Sequence, residues 1–433
     1  MKTRHLVLIF FALVTSMSSA SSYAENISDR QLIEAFMQNP YRAAAGHTPY
    51  EAPADAVYTK APKGYNAFYI SHFGRHGSRF QSSEDVFEDV CEVLDHIKKK
   101  GLLTAKGDSL WRDLHGMWDA HKNQMGGMLT RRGALEHQGI ASRMFARNPE
   151  IFRQKERCKV SCRSTVVTRC VESMGNFAMA LIRLSPSLDV ETQTDLLTGR
   201  THTAPDSKKI RVHSRAAEKN MLKEADGMPT LAARLFTDPA KAAGLIEDED
   251  LGRFLFNVFK AAAAAGCLDQ DYDPLRFFTP EELLMCNKIR NIHFSSSYGC
   301  FGPTRDIAVS HSYPYMQLLL EEADAAIAGN GHCADLRFAH DKQVGPLLSL
   351  LDLENYNVYT PTDGSHNHQA AWKYLSMGVN LQMIFYRNRQ DDILVKFLCN
   401  ERETLLPSLK AVEGYYYRWE DVRRHILNRI ANR

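Results

Sequence analysis

Arg75-His76-Gly77-Ser78-Arg79 sets an imidazole between two guanidiniums. A neutral imidazole attacks electrophiles, and guanidinium forks bind tetrahedral oxyanions bidentately. A phosphorus centre carrying anionic oxygens suits that combination. Gly77 lets the backbone bend beside the imidazole without a Cβ clash. Taken alone, the same five residues also describe a basic surface loop that holds a histidine by chance. Two more segments carry chemistry-bearing side chains: Arg163 to Arg169, and the pair His340-Asp341.

These segments need elements to position them. Residues 67–72 are an apolar, aromatic-rich run that reads as a buried strand, with His76 just past its end. Residues 159–162 read as a second strand, followed by Arg169 and a helix carrying Phe177, Ala178, Ala180 and Leu181. Residues 334–339 read as a third strand with His340-Asp341 at its end. Strands separated by helices predict an α/β fold with a mostly parallel sheet. In such sheets ligands bind beyond the carboxyl ends of the strands. Arg75, His76, Arg79, Arg169, His340 and Asp341 are therefore expected to share one crevice.

Residues 84–99 repeat apolar side chains with a helical period, and Thr130 is a plausible N-cap for a helix to about 145. A polar, Trp-containing stretch to Gly127 is left unassigned. Leu251, Phe254, Leu255, Val258 and Phe259 mark an amphipathic helix, and Thr279-Pro280-Glu281-Glu282 is a capping box. Residues 182–300 thus read as a mainly helical cap, inserted into an α/β core made of 25–181 and 301–433. Residues 379–386 and 393–398 read as a hairpin, and 419–430 as a closing helix.

The N-terminus has a basic start at Lys2 and Arg4, a short apolar run at 6–14 and small residues up to Ala24. That pattern reads as a signal peptide, 1–24, so an exported protein, periplasmic or secreted, is expected. The run is too short for a membrane span, and no cysteine directly follows it to carry a lipoprotein anchor. Cleavage after Ala24 lowers the Lys and Arg count from 53 to 51, equal to the 51 acidic residues. A near-neutral chain gives no global field for nucleic acid, so any anion site is local. The nine cysteines match no common zinc spacing. Cys162, Cys333 and Cys399 lie in or beside apolar runs and read as buried small hydrophobes. Asp363 and His366-Asn367-His368 alternate as metal ligands can, but a Gly-Ser-flanked loop is more often just polar. No metal or cofactor is assigned.

The R-H-G-S-R stretch resembles the R-H-G-x-R motif of the histidine phosphatase superfamily, in its acid phosphatase and phytase branch. Arg163-Ser164-Thr165 through Arg169 to Ser173 is similar to the family's R-S-T-x-x-x-R-x-x-x-S segment. Leu129-Thr130-Arg131-Arg132-Gly133 is similar to its L-T-x-x-G, and His340-Asp341 to its H-D pair. Lys63-Gly64-Tyr65 and the later segments look most like secreted bacterial multiple inositol polyphosphate phosphatases. Those enzymes commonly carry H-A-E where this chain has His340-Asp341-Lys342. The motif's usual Pro-Thr extension is replaced by Gln81-Ser82.

The resemblance implies a phosphomonoester hydrolase acting on small-molecule phosphate esters. It makes His76 the nucleophile of a phosphohistidine intermediate. Arg75, Arg79, Arg169 and His340 hold the phosphoryl oxygens, and Asp341 gives a proton to the leaving oxygen. On that reading the arginines lower the His76 pKa, and a bound phosphate raises that of Asp341. Inositol polyphosphates are the implied substrates. A broad acid or sugar phosphatase and a non-catalytic phosphate-binding protein are the alternatives. A mutase of the other branch would share R-H-G but not the helical insertion, the signal peptide or His340-Asp341.

Overall fold

The run at 67–72 is the middle of a ten-residue strand, β1 (Asn66–Arg75). The computed structural model describes residues 27–432, apart from 123–125, 154–157, 196–206, 225–227, 248, 299–303, 355 and 357–370. The expected signal peptide, Asp363 and His366-Asn367-His368 lie outside the described residues.

β1 is central in an eight-stranded mixed sheet. β2 (Lys159–Ser164), β3 (Asp189–Thr194) and β4 (Ala334–Ala339) continue the sheet in the order β3-β2-β4-β1, all parallel. β5 (Asn380–Arg387) pairs antiparallel on the other side of β1 and forms the expected hairpin with β6 (Ile393–Cys399). Two short strands, β7 (Arg402–Thr404) and β8 (Tyr416–Arg418), both pair with β6. The protein is thus an α/β fold whose parallel strands lie together in one half of the sheet.

The helices used below are α1 (Asp85–Lys99), α2 (Ala105–Lys122), α3 (Arg131–Arg147), α4 (Thr168–Leu184), α5 (Ser207–Glu224), α6 (Leu251–Ala263), α7 (Pro280–Ser297) and α8 (Asp341–Leu351). Alternation along β1 splits its side chains between two layers. Tyr69 and Phe73 pack with α8 and the helices Tyr313–Ile327 and Trp419–Ala431. Ile70 packs on the opposite face with residues of α3 and α4. A third buried cluster joins α1, α2, α6 and α7.

Two expectations need correction, and one unassigned stretch is now placed. The helical insertion does not begin at 182, because α4 runs to Leu184 and residues 189–194 form β3. That strand is a polar, mostly exposed edge, so it has no apolar alternation to reveal it. The unassigned Trp-containing stretch is largely helix α2, whose buried face is sparse: Leu110, Leu114 and Met117 among polar residues. Cys333 is not a free thiol but is disulfide-bonded to Cys158, with 5.6 Å between the Cα atoms. The parallel register that pairs Val160 with Ala334 brings the two residues together. Cys162 and Cys399 are buried and free. No helix among the described residues is long and apolar enough to cross a membrane.

Candidate active site

The parallel register pairs Arg75 with Ala339, so His76 and His340 leave neighbouring strands side by side. The His76 amide donates to the Ala339 carbonyl at 2.9 Å. The two imidazole centroids are 5.4 Å apart, with the rings nearly perpendicular. One strand further, Ser164 pairs with Phe338 and the chain then enters α4. Arg169 is in the first turn of that helix, and its Nη2 lies 3.3 Å from His340 Nδ1. Arg75 Nη2 lies 2.6 Å from Asp341 Oδ2. Arg79 closes the group: after burial, the charges of Arg169 and Arg75 push its pKa down to about 10. All six expected residues thus meet at the carboxyl ends of β1, β2 and β4.

The loop that carries His76 is clamped from two helices. The Ser78 carbonyl accepts from the Thr130 amide at 3.0 Å, and the Gly77 amide donates to Ser173 Oγ at 3.1 Å. A Cβ on Gly77 would stand 2.6 Å from the Gly133 carbonyl oxygen, and one on Gly133 would stand 2.1 Å from that of Ser78. Both glycines are therefore required for loop and helix to touch. Thr130 caps α3, as expected, by accepting from the Gly133 amide.

Electrostatics sets the protonation states. Burial, then Arg75, Arg169, His340 and Arg79, holds His76 well below the ordinary histidine value, so it is neutral. Burial and then Arg169 push His340 down to about 4. Asp341 in the ligand-free protein lies the other way from the state expected with phosphate bound. Burial pushes its carboxyl up, but Arg75, His340, the Lys342 amide and Arg79 together outweigh that and hold it below the usual carboxylate range. Without a bound phosphate, then, the protein itself favours the anion. Burial and then Arg169 push Lys342 down to about 8.

The Nε groups of Arg75, Arg79 and Arg169 are buried with no hydrogen-bond partner among the described residues. Buried donors of that kind are costly unless matched. A tetrahedral oxyanion beside a neutral imidazole would match them. Among the described residues no cluster of three or more His, Cys, Asp or Glu side chains is placed to hold a metal ion.

Further basic residues lie next to this centre and have no sequence motif. Arg75 Nη1 donates to the Gly46 carbonyl, and the following residue, His47, has its Nδ1 3.1 Å from Arg290 Nη2. A cavity of about 70 Å³ is lined by His47, Gln81, Lys260 and Arg290, with Ala44, Val86, Phe259 and Ala263. A second, of about 270 Å³, is lined by Arg211, Arg215, His293, His311, Tyr298 and Lys342 among others. Lys342 and Tyr298 border Asp341, whose charge, after burial, raises the Tyr298 pKa. Arg211 and Arg215 come from α5 and Arg290 from α7, so helical segments supply most of this charge.

Residues 74–400 match the model of the histidine phosphatase superfamily, branch 2. No curated protein matches the sequence. Among solved structures, the fold is similar to that of a Bifidobacterium longum multiple inositol polyphosphate phosphatase in complex with inositol hexasulfate (TM-score 0.77, 19% identity, covering 88% of this chain and 97% of that one). The same enzyme in complex with phosphate gives a TM-score of 0.76 at 20% identity, over 90% of this chain and 98% of that one. A phytase from D. castellii gives 0.65 at 13% identity, over 91% and 86%. At such identities the structural likeness is one of fold. The family match spans most of the chain and includes the loop, the α4 arginine and the His340-Asp341 pair that the fold gathers, and so this chain belongs to branch 2 of the histidine phosphatase superfamily.

Proposed function

We propose that the protein hydrolyses phosphomonoesters through a phosphohistidine at His76 and that inositol polyphosphates are its substrate class. One observation carries the reaction: a neutral, buried His76 stands among three guanidiniums whose Nε donors are unmatched. His76 Nε2 attacks phosphorus, and the N–P bond forms as the bond to the ester oxygen breaks. Asp341 gives that oxygen its proton. In the second half Asp341 takes a proton from water, the water oxygen attacks phosphorus, the N–P bond breaks and inorganic phosphate leaves. Arg75, Arg79, Arg169 and His340 hold the equatorial oxygens throughout. Positioning and charge stabilisation supply most of the catalysis in such transfers.

The substrate class rests on basic residues beyond those that one phosphoryl group needs, although Glu218, paired with His293 at 2.9 Å and interacting with Arg290 and Lys260, offsets part of their charge. One phosphoryl group satisfies Arg75, Arg79 and Arg169. Arg290, Lys260, Arg211, Arg215 and Lys342 line adjoining cavities and suit further anionic groups on the same molecule. The similarity in fold to proteins named as phytase and inositol polyphosphate phosphatase supports the same reading. A non-catalytic binder would have no use for a neutral nucleophile beside a proton donor. Export remains part of the proposal, and the disulfide Cys158–Cys333 supports an oxidising compartment. A phosphate-release screen over phytate, lower inositol phosphates, sugar phosphates and p-nitrophenyl phosphate tests it. Phytate is expected to give the highest kcat/KM. Release from none of them would contradict the reaction, and preference for a singly phosphorylated sugar would contradict the substrate class.

A further inference from the structure

Glu136 and His76 are connected through a single peptide group. The Ser78 amide donates to Glu136 Oε2 at 2.7 Å. That amide shares its peptide plane with the Gly77 carbonyl, whose oxygen lies 2.9 Å from His76 Nδ1. A carbonyl oxygen only accepts, so the ring donates from Nδ1 and keeps its lone pair on Nε2. A carboxylate on the N–H side polarises the peptide and makes its carbonyl a stronger acceptor.

We infer that Glu136 is a positioning residue that acts on His76 through the Gly77–Ser78 peptide. It fixes the tautomer with Nε2 free, and it stabilises the positive charge the ring gains as the N–P bond forms. The inference rests on the reading of His76 as nucleophile.

Two further donors meet the same carboxylate: Ser78 Oγ at 2.7 Å and the Tyr50 amide at 3.0 Å. Three donors on two oxygens favour the ionised form and fix its orientation. Burial opposes them and raises the Glu136 pKa. The loop has other anchors in Thr130, Ser173 and the Gly77–Gly133 contact, so its place does not depend on Glu136 alone. Glu136 therefore does for His76, one peptide removed, what a buried carboxylate does when bonded directly to a catalytic imidazole.

Glu136→Gln keeps the volume and removes the charge. It is expected to lower kcat by about 10- to 100-fold, the usual cost of losing a group that orients a reacting one, with KM changed by less than about threefold. In ¹⁵N-histidine-labelled protein, a downfield Nδ1–H resonance that His76→Ala removes should be present in the wild type and shifted or lost in Glu136→Gln. Ser78→Ala keeps the backbone amide and removes one of the three donors that orient Glu136, so it should cost clearly less than Glu136→Gln. Wild-type kcat in Glu136→Gln, an unmoved resonance, or an equal loss in Ser78→Ala would overturn the relay. So would an Nε2–H tautomer in the wild type, a measurement that needs no variant of Glu136. An active His76→Ala would instead overturn the nucleophile reading and leave the tautomer result standing.

Discussion

Arg75 and Asp341 are ion-paired in the free protein, 2.6 Å apart, with side chains only 1% and 16% exposed. The expected phosphate ligand and the expected proton donor therefore hold each other. A phosphate dianion arriving at Arg75 competes with Asp341 for the same guanidinium. Losing that attraction, and facing the phosphate's own charge, raises the carboxyl's affinity for a proton. On the proposed mechanism, Asp341 becomes an acid only when substrate is in place, taking its proton from solvent or from the fraction of substrate bound as the monoanion.

This makes Asp341 matter most for poor leaving groups. Asp341→Asn should slow an inositol or sugar phosphate by about 10²–10⁴-fold and p-nitrophenyl phosphate far less, because nitrophenolate leaves without a proton. Steady-state kinetics on both substrates checks this. Equal slowing would mean that Asp341 only positions the site. A loss confined to alkyl esters in Lys342→Ala, with Asp341→Asn unaffected, would move the donor role to Lys342.

On the proposed mechanism, Arg79 and Arg169 contact the same phosphoryl group in ground and transition states. Replacing either with Ala should lower kcat/KM by about 10- to 150-fold, corresponding to roughly 1.5–3 kcal/mol for one charge-assisted contact. Lys should rescue poorly, since it lacks the planar fork. Full rescue of Arg169→Ala by Lys would count against bidentate binding.

If inositol polyphosphates are the substrates as proposed, Arg290 should distinguish them from simple monoesters. Arg290→Gln should raise KM for phytate by about 10-fold or more, the value of one charged hydrogen bond, while p-nitrophenyl phosphate kinetics shift little. Equal effects on both substrates would place Arg290 among the supports of the catalytic loop, through His47, rather than in a polyanion subsite.

Two buried histidines set an acid limit on stability. His72 and His137 are both fully buried, and burial pushes each down to about 3 from the ordinary 6.5. The folded state then binds fewer protons than the unfolded state. Stability is complete above pH 6.5 and falls as pH drops towards 3, by roughly 1.4 kcal/mol per pH unit for each group. Urea midpoints at pH 7 and pH 4 should differ less in His137→Leu than in the wild type. An unchanged difference would assign acid loss to other groups.

Much of the site was legible because its signals are local. R-H-G-S-R, Arg169 and His340-Asp341 each occupy a few consecutive residues after an apolar run, and the parallel register of β1, β2 and β4 does the rest. What stayed hidden depends on distant contacts. Glu136 meets Ser78 across 58 residues, and Arg290 meets His47 across 243. β3 was hidden for a different reason, since an exposed polar edge needs no apolar pattern. The state of Asp341 depends on whether Arg75 faces it or a phosphate, which no sequence pattern records.

The central claim is covalent transfer to His76, and rapid quenching tests it most directly. Wild-type protein should be mixed with ³²P-labelled substrate, stopped within milliseconds, digested at alkaline pH to preserve phosphohistidine, and mapped. The label is expected on the peptide containing His76, forming no more slowly than turnover, and absent from His76→Ala, which should have no measurable turnover. Label on another residue, or an unlabelled but active His76→Ala, would contradict the account.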